Sequence, residues 1–156
     1  MAIEMSIHNG IILIDEEYAY LLFRHKWYLS RENHGRYVVR TQRQNKKQIM
    51  ISLHREIMNF PIGKQVDHIN GNRLDNRKCN LRICSISENL KNQKRRNDNT
   101  SNYKGVYWNK EMNKWRALIS VNNKRKHLGY YVTPELAYAA YCEAAKKYHG
   151  EFANYG

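Results

Sequence analysis

The chain has 156 residues, enough for one modest hydrophobic core or two small ones, and its 27 Lys and Arg against 14 Asp and Glu leave a formal charge of +13. Such an excess points to a polyanionic partner, nucleic acid first, with 12 Tyr and 3 Trp among the cations as stacking surfaces. No apolar run approaches the roughly 18 residues of a spanning helix, and the start MAIEMSIHNG lacks the order of a secretory signal, which disfavours a membrane and favours a reducing cytoplasm.

The positive charge runs through both halves: residues 1–99 hold 18 basic and 10 acidic side chains, residues 100–156 hold 9 and 4. Cys79, Cys84 and Cys142 lack the paired C-x-x-C spacing of a zinc site and read as buried thiols. In chain order, IILIDEEYAYLLFRHKWYLS (11–30) opens with a β-prone apolar run, after which Asp15 caps a short helix whose Tyr18, Leu21, Leu22 and His25 share a face. RYVVRT (36–41) and KQIMISLHREIM (47–58) read as two strands running into a helix, with Asn and Lys in the turn between them.

QVDHI is the next short strand, Asn70-Gly71 marks a turn because both residues accept positive φ, and NLRIC (80–84) is a second short strand. Ser85 and Glu88 form an S-x-x-E capping box, which starts a helix at Ser85 and sets Asn89 and Asn92 on one face. KNQKRRNDNTSN (91–102) has no apolar residue and reads as a basic linker, with Lys94, Arg95 and Arg96 suited to a track of DNA phosphates.

The order strand, long loop, strand, helix carries Asp67, His68, Asn80 and Asn89 toward one small surface. In-line attack of water on a phosphodiester calls for a base of pKa near 7 and a cation at the leaving oxygen. His68 suits the base, and the carboxylate of Asp67 with the amide of Asn89 suits Mg²⁺ or Mn²⁺ better than Zn²⁺. Asn80, through its side-chain or backbone carbonyl, would orient the imidazole. Neighbours on a regular strand face opposite ways, so Asp67 and His68 share a site only if the strand ends or distorts there.

LHREIM, VDHINGNRLDNRKCNLRICSISEN and the trailing KN resemble the HNH endonucleases of phages and mobile introns, whose ββα-metal fold has this order. The intervals of 12 residues from His68 to Asn80 and 21 from His68 to Asn89 agree with the members that end in Asn. The resemblance implies that His68 is the general base, Asp67 and Asn89 are metal ligands, and Asn80 positions His68. His54 of LHREIM recurs in that subgroup, either facing phosphate or making a structural hydrogen bond.

In WRALISV, Trp115, Ala117, Ile119 and Val121 alternate with Arg116, Leu118 and Ser120, so one sheet face is apolar and the other open. A helix with Thr133 as N-cap, Pro134 first and Gly150 as stop covers the apolar face through Ala137, Ala140, Tyr141, Ala144 and Tyr148. YKGV, KWRA, LGYY, TPELAYAAY and ANYG are similar to the ethylene-response-factor type of plant DNA-binding domain. That resemblance implies DNA contact through Lys104, Tyr107, Asn109, Arg116, Ser120, Arg125 and His127. Tyr107 and Ser120 stand where the plant domains carry Arg, and His127 where they carry Trp, so the plant target sequence does not carry over.

The expectation is therefore an α+β chain: an HNH unit with an N-terminal strand and helix extension (1–96), a polar linker (97–102), and a small three-stranded antiparallel sheet packed on one helix (103–156). It would be a monomeric, homing-type endonuclease that nicks or cleaves double-stranded DNA, with Asn92 and His54 among its DNA contacts and no cofactor beyond Mg²⁺ or Mn²⁺. A chain ending near Lys94 would keep its fold and its metal-dependent chemistry. The rival reading is a DNA-binding regulator with a vestigial nuclease unit; a structural RNA-binding protein is disfavoured for lack of an exposed aromatic motif.

Overall fold

Alternation in AIEMSI and GIILID builds the first hairpin of the computed structural model, β1 (Ala2–Ile7) pairing antiparallel with β2 (Gly10–Asp15) and burying Ile12 and Ile14 completely. The structure describes residues 1–7, 10–31, 36–93, 95 and 99–156. These residues form two compact units, Met1–Ser85 and Ile86–Gly156.

In the first unit a 3₁₀ turn (Glu16–Tyr18) leads into helix α1 (Tyr20–Arg24). Asp15 precedes that turn without capping it; its Oδ2 instead accepts a hydrogen bond from the Lys78 backbone N–H at 2.7 Å. Strands β3 (Tyr28–Leu29), β4 (Val38–Gln44) and β5 (Lys47–Ser52) form an antiparallel sheet in that order, and β5 runs into helix α2 (Leu53–Ile57). The β4–β5 turn places Asn45 and Lys46 at φ of 48° and 62°, the left-handed pair that a two-residue hairpin turn needs. Strands β6 (Gln65–His68) and β7 (Leu81–Cys84) make the last hairpin.

Ile12, Ile14, Leu21, Trp27, Val38, Leu53, Ile57, Val66 and Leu81 form one core, with Met5 of β1, Leu29 of β3 and Ile51 of β5 packed against it, and this core backs β6. Two polar groups beside it are matched: Trp27 Nε1 donates to the Leu21 carbonyl at 2.8 Å, and Arg40 pairs with Glu56 at 3.0 Å.

The second unit begins with helix α3 (Ile86–Lys91), starting directly after Ser85. Strands β8 (Val106–Asn109), β9 (Lys114–Val121) and β10 (Lys124–Tyr131) form an antiparallel sheet ordered β10-β9-β8. Helix α4 (Pro134–His149) packs Ala137, Tyr141, Ala144 and Ala145 onto Val106, Ala117 and Ile119 of that sheet. Thr133 caps it, its Oγ1 accepting from Leu136 N at 3.3 Å, and Gly150 with φ of 54° ends it. Ala140 and Tyr148 are only half-buried on this helix, whereas Ala145 and His149 are buried.

Two expectations change. The end of the polar stretch 97–102 is built structure: Ser101 is buried, its Oγ donating to the Val106 carbonyl at 2.8 Å, and Asn99 Nδ2 donates to the Tyr103 carbonyl at 2.9 Å. Of the thiols, Cys84 is buried, Cys142 half-buried and Cys79 exposed, because Cys79 lies in a 3₁₀ turn (Lys78–Asn80) outside the core. Among the described residues no helix is long and apolar enough to cross a membrane.

Candidate functional site

Period-two alternation along β6 buries Val66 and His68 and leaves Gln65 and Asp67 half-buried on the other side. His68 is the last residue of the strand, and its carbonyl accepts from Gly71 N at 2.9 Å as the chain turns away. Asp67 and His68 thus diverge up to the strand end. Asp67 faces Arg82 across the hairpin, and Arg82 Nη2 and Nε donate to its Oδ2 at 2.9 and 3.1 Å. With side chains 11% and 12% exposed, this ion pair is largely shielded from water.

On the inner side, the His68 ring packs against His54 of α2 at 5.0 Å and against Tyr37 at 6.2 Å, centroid to centroid. Tyr37 lies 5.3 Å from His54, and the Arg73 guanidinium stacks over the Tyr37 ring at 4.5 Å. Burial lowers the pKa of His68 below the ordinary histidine value; the Asn76 side chain and the carboxylates of Asp67 and Asp75 oppose that shift. His54 is pushed down to about 3 by burial, reinforced by His68, Arg55 and Arg73. Its buried Nδ1 has no hydrogen-bond partner, so His54 is neither a surface phosphate contact nor a structural hydrogen-bonder through that atom. It is a neutral wall for His68.

Asn80 was expected to hold the imidazole, and its hydrogen bonds go to the loop instead. Its Oδ1 accepts from Asn70 N at 3.0 Å, its Nδ2 donates to the Asp75 carbonyl at 2.8 Å, and its own carbonyl accepts from Ile69 N at 2.8 Å. The fully buried Asn76, which the sequence reading did not single out, acts on the ionisation of His68. Asp75 is buried too, held by Arg77 through two hydrogen bonds of 2.7 Å and by Asn70 at 2.9 Å. This loop is pinned to β2, where Leu13 N donates to the Leu74 carbonyl at 2.9 Å and Asn76 N to the Leu13 carbonyl at 2.7 Å. Successive Asx turns, with Asn72 N bonded to Asn70 Oδ1 and Leu74 N to Asn72 Oδ1, shape it. The run of Asn and Asp in NGNRLDN was the available signal.

In the second unit, Asn89 lies on α3. Asn92 is buried, and its Oδ1 accepts from Asn154 Nδ2 at 3.3 Å, so it serves the interior and not a DNA face. Arg95 Nη1 donates to the Asn99 carbonyl at 3.3 Å, while Lys94 and Arg96 lie outside the described residues. Lys104 points inward: its Nζ donates to the Lys91 carbonyl at 3.1 Å and to the Gln93 carbonyl. Burial pushes its pKa down to about 8, and the two carbonyls act against that shift by favouring the ammonium.

Cross-strand register brings the remaining predicted contacts together. Tyr107 and Tyr130 both face Arg116, Arg125 faces Ser120, and His127 faces Leu118, all on the side of the sheet away from the buried Ala117 and Ile119. The Arg116 Nε is buried without a hydrogen-bond partner. Asn109 turns to the β8–β9 hairpin, where its Oδ1 accepts from Met112 N at 2.8 Å. A groove of about 440 Å³ runs along this face, lined by Leu90 and Lys91 of α3 and by Tyr107, Ser120 and Arg125 of the sheet.

A family model described as an HNH endonuclease matches residues 59–91, and one described as an AP2 domain matches residues 101–151. The protein is also similar to Protein 3.8 of Escherichia phage T7, with 34% identity over 96 residues that cover 62% of this chain and 78% of that protein. The chain belongs to the family of Protein 3.8 and carries an HNH endonuclease motif followed by an AP2 domain. No solved structure matches it. As an HNH protein with an AP2 domain behind the nuclease motif, it is a DNA-binding protein of nuclease type.

HNH nucleases generally use a divalent metal ion, and the donor chemistry fits a hard one. The Asp67 carboxylate already draws the Arg82 guanidinium to one oxygen. Among the described residues no group of three or more His, Cys, Asp or Glu side chains is placed to hold a metal ion.

Proposed function

We propose that this HNH protein is a metal-dependent, homing-type endonuclease that nicks or cleaves double-stranded DNA as a monomer, with its AP2 domain setting where it acts. The observation that supports the chemistry most directly is His68: buried, neutral at physiological pH, and next in the chain to the Asp67 carboxylate. A general base must be unprotonated before attack, and burial keeps this imidazole so. Asn76, Tyr37 and His54 fix its ring, and Asn80 acts one step back by fixing the loop that carries Asn76. Asp67 and Asn89 would hold Mg²⁺ or Mn²⁺, which stabilises negative charge on the phosphate and its leaving oxygen.

The sheet face of Tyr107, Arg116, Ser120, Arg125 and His127 offers the shape and charge to enter a major groove. Relaxation of supercoiled plasmid with Mg²⁺, with chelator, and by His68→Ala tests the proposal. Cleavage should vanish with chelator and fall by roughly 10² to 10⁴-fold in the variant, with duplex affinity unchanged. Full activity under exhaustive chelation would overturn it.

A further inference from the structure

Helix α3 has no evident means of staying folded by itself. It has six residues, far below the roughly 12 to 15 at which isolated helices become marginal, and none of the six is buried. Ile86 and Leu90, its apolar side chains, are 64% and 52% exposed. Polar contacts grip its C-terminal end, in addition to its packing against the 3₁₀ turn Gly150–Phe152. Lys104 Nζ, from the AP2 domain, donates to the carbonyls of Lys91 and Gln93, groups that a helix end leaves without intrahelical partners. Between those two residues, the buried Asn92 accepts from Asn154 Nδ2 of the chain beyond α4. A positive charge at this end also opposes the negative pole of the helix.

From these contacts we infer that Lys104, with Asn154 as a second tie, is a positioning residue of the nuclease: the AP2 domain holds α3, and thereby Asn89, in place. The inference rests on the proposed role of Asn89 as a metal ligand. It assigns the AP2 domain a structural task within the catalytic motif in addition to DNA contact. It also reverses the expectation for a chain ending near Lys94, which would retain Asn89 but lose both ties.

The test uses the full chain and three variants, Lys104→Met, Asn154→Ala and Asn89→Ala. Lys104→Met keeps the length of the side chain and removes its donors. Amide exchange at Leu90 to Gln93 should accelerate at least tenfold in Lys104→Met and less in Asn154→Ala, while Ala117 and Ile119 in the sheet keep their protection. Mn²⁺ affinity, read by electron paramagnetic resonance without DNA, should weaken several-fold in both, and Lys104→Arg should restore part of it. Duplex affinity in chelator and its salt slope should not change, whereas a lost phosphate contact would flatten that slope by about 0.9. A flattened slope with unaltered exchange in α3 would make Lys104 a phosphate ligand and overturn the inference. So would unaltered exchange and Mn²⁺ binding in Asn154→Ala, should Lys104→Met fail to fold. If Asn89→Ala binds Mn²⁺ like the parent, the ligand role of Asn89 fails separately, and the exchange data still decide whether the AP2 domain holds α3.

Discussion

Acid should weaken the first unit through His54. Its pKa is about 3 in the fold against 6.5 for the unperturbed group, a shift caused first by burial. Below pH 6.5 the unfolded chain takes up a proton that the folded chain refuses until about pH 3, so stability falls as the pH drops through that window. One proton per molecule corresponds to about 1.4 kcal/mol per pH unit, and between pH 6 and pH 4 the linkage integrates to roughly 2.5 kcal/mol. This is an upper value, since any local opening hydrates the ring. His54→Phe keeps an aromatic ring beside Tyr37 and His68 and removes the proton site, and the buried Nδ1 it deletes has no hydrogen bond to lose. Urea denaturation at the two pH values, followed on the amide signals of Val38, Leu53 and Val66, reports the first unit alone. The loss on going from pH 6 to pH 4 should be smaller in the variant by about the linkage value. Equal losses in parent and variant would refute a neutral, buried His54.

Arg82→Gln should tighten Mn²⁺ binding, because it removes the guanidinium bonded to Asp67 Oδ2; calorimetry showing unchanged affinity would mean the two cations do not compete. Under the proposed mechanism, single-turnover cleavage should rise with pH and level off, with the midpoint of its acid limb below 6.5, since burial lowers the pKa of His68. A midpoint above that value would contradict the role of burial. Asn80→Ala should cost about 2 kcal/mol by leaving Asn70 N and the Asp75 carbonyl without partners, measurable as a lower urea midpoint of the first unit; a neutral effect would show that the loop is held from β2 alone.

The contrast between legible and illegible features follows the range of the interactions. Thr133, Pro134 and Gly150 bracket α4 as the sequence indicates, because caps and stops act on backbone within a few residues. Asn45 in the β4–β5 turn is of the same kind. Asn80 was assigned to the imidazole because its type and spacing suited that role, yet its partners were decided by a loop drawn toward Leu13, 67 residues earlier in the chain. Lys104 was open to the same error: an ammonium serves a phosphate or a helix carbonyl equally well, and only the arrival of Lys91 and Gln93 beside it selects the second.

Arg82 is a different kind of omission, because its partner was within reach of the sequence. Once QVDHI and NLRIC are taken as neighbouring antiparallel strands, the register is constrained by their hydrophobic faces: Val66 and Leu81 must both be buried for the hairpin to close on the core, as they are. With His68 opposite Leu81, the next pair back is Asp67 opposite Arg82, a cross-strand carboxylate and guanidinium. The same step therefore identifies the ion pair and warns that the proposed ligand already holds a cation. If Asp67 holds the proposed metal ion, that ion would either displace Arg82 or share the carboxylate with it, against a charge-assisted hydrogen bond of 2.9 Å.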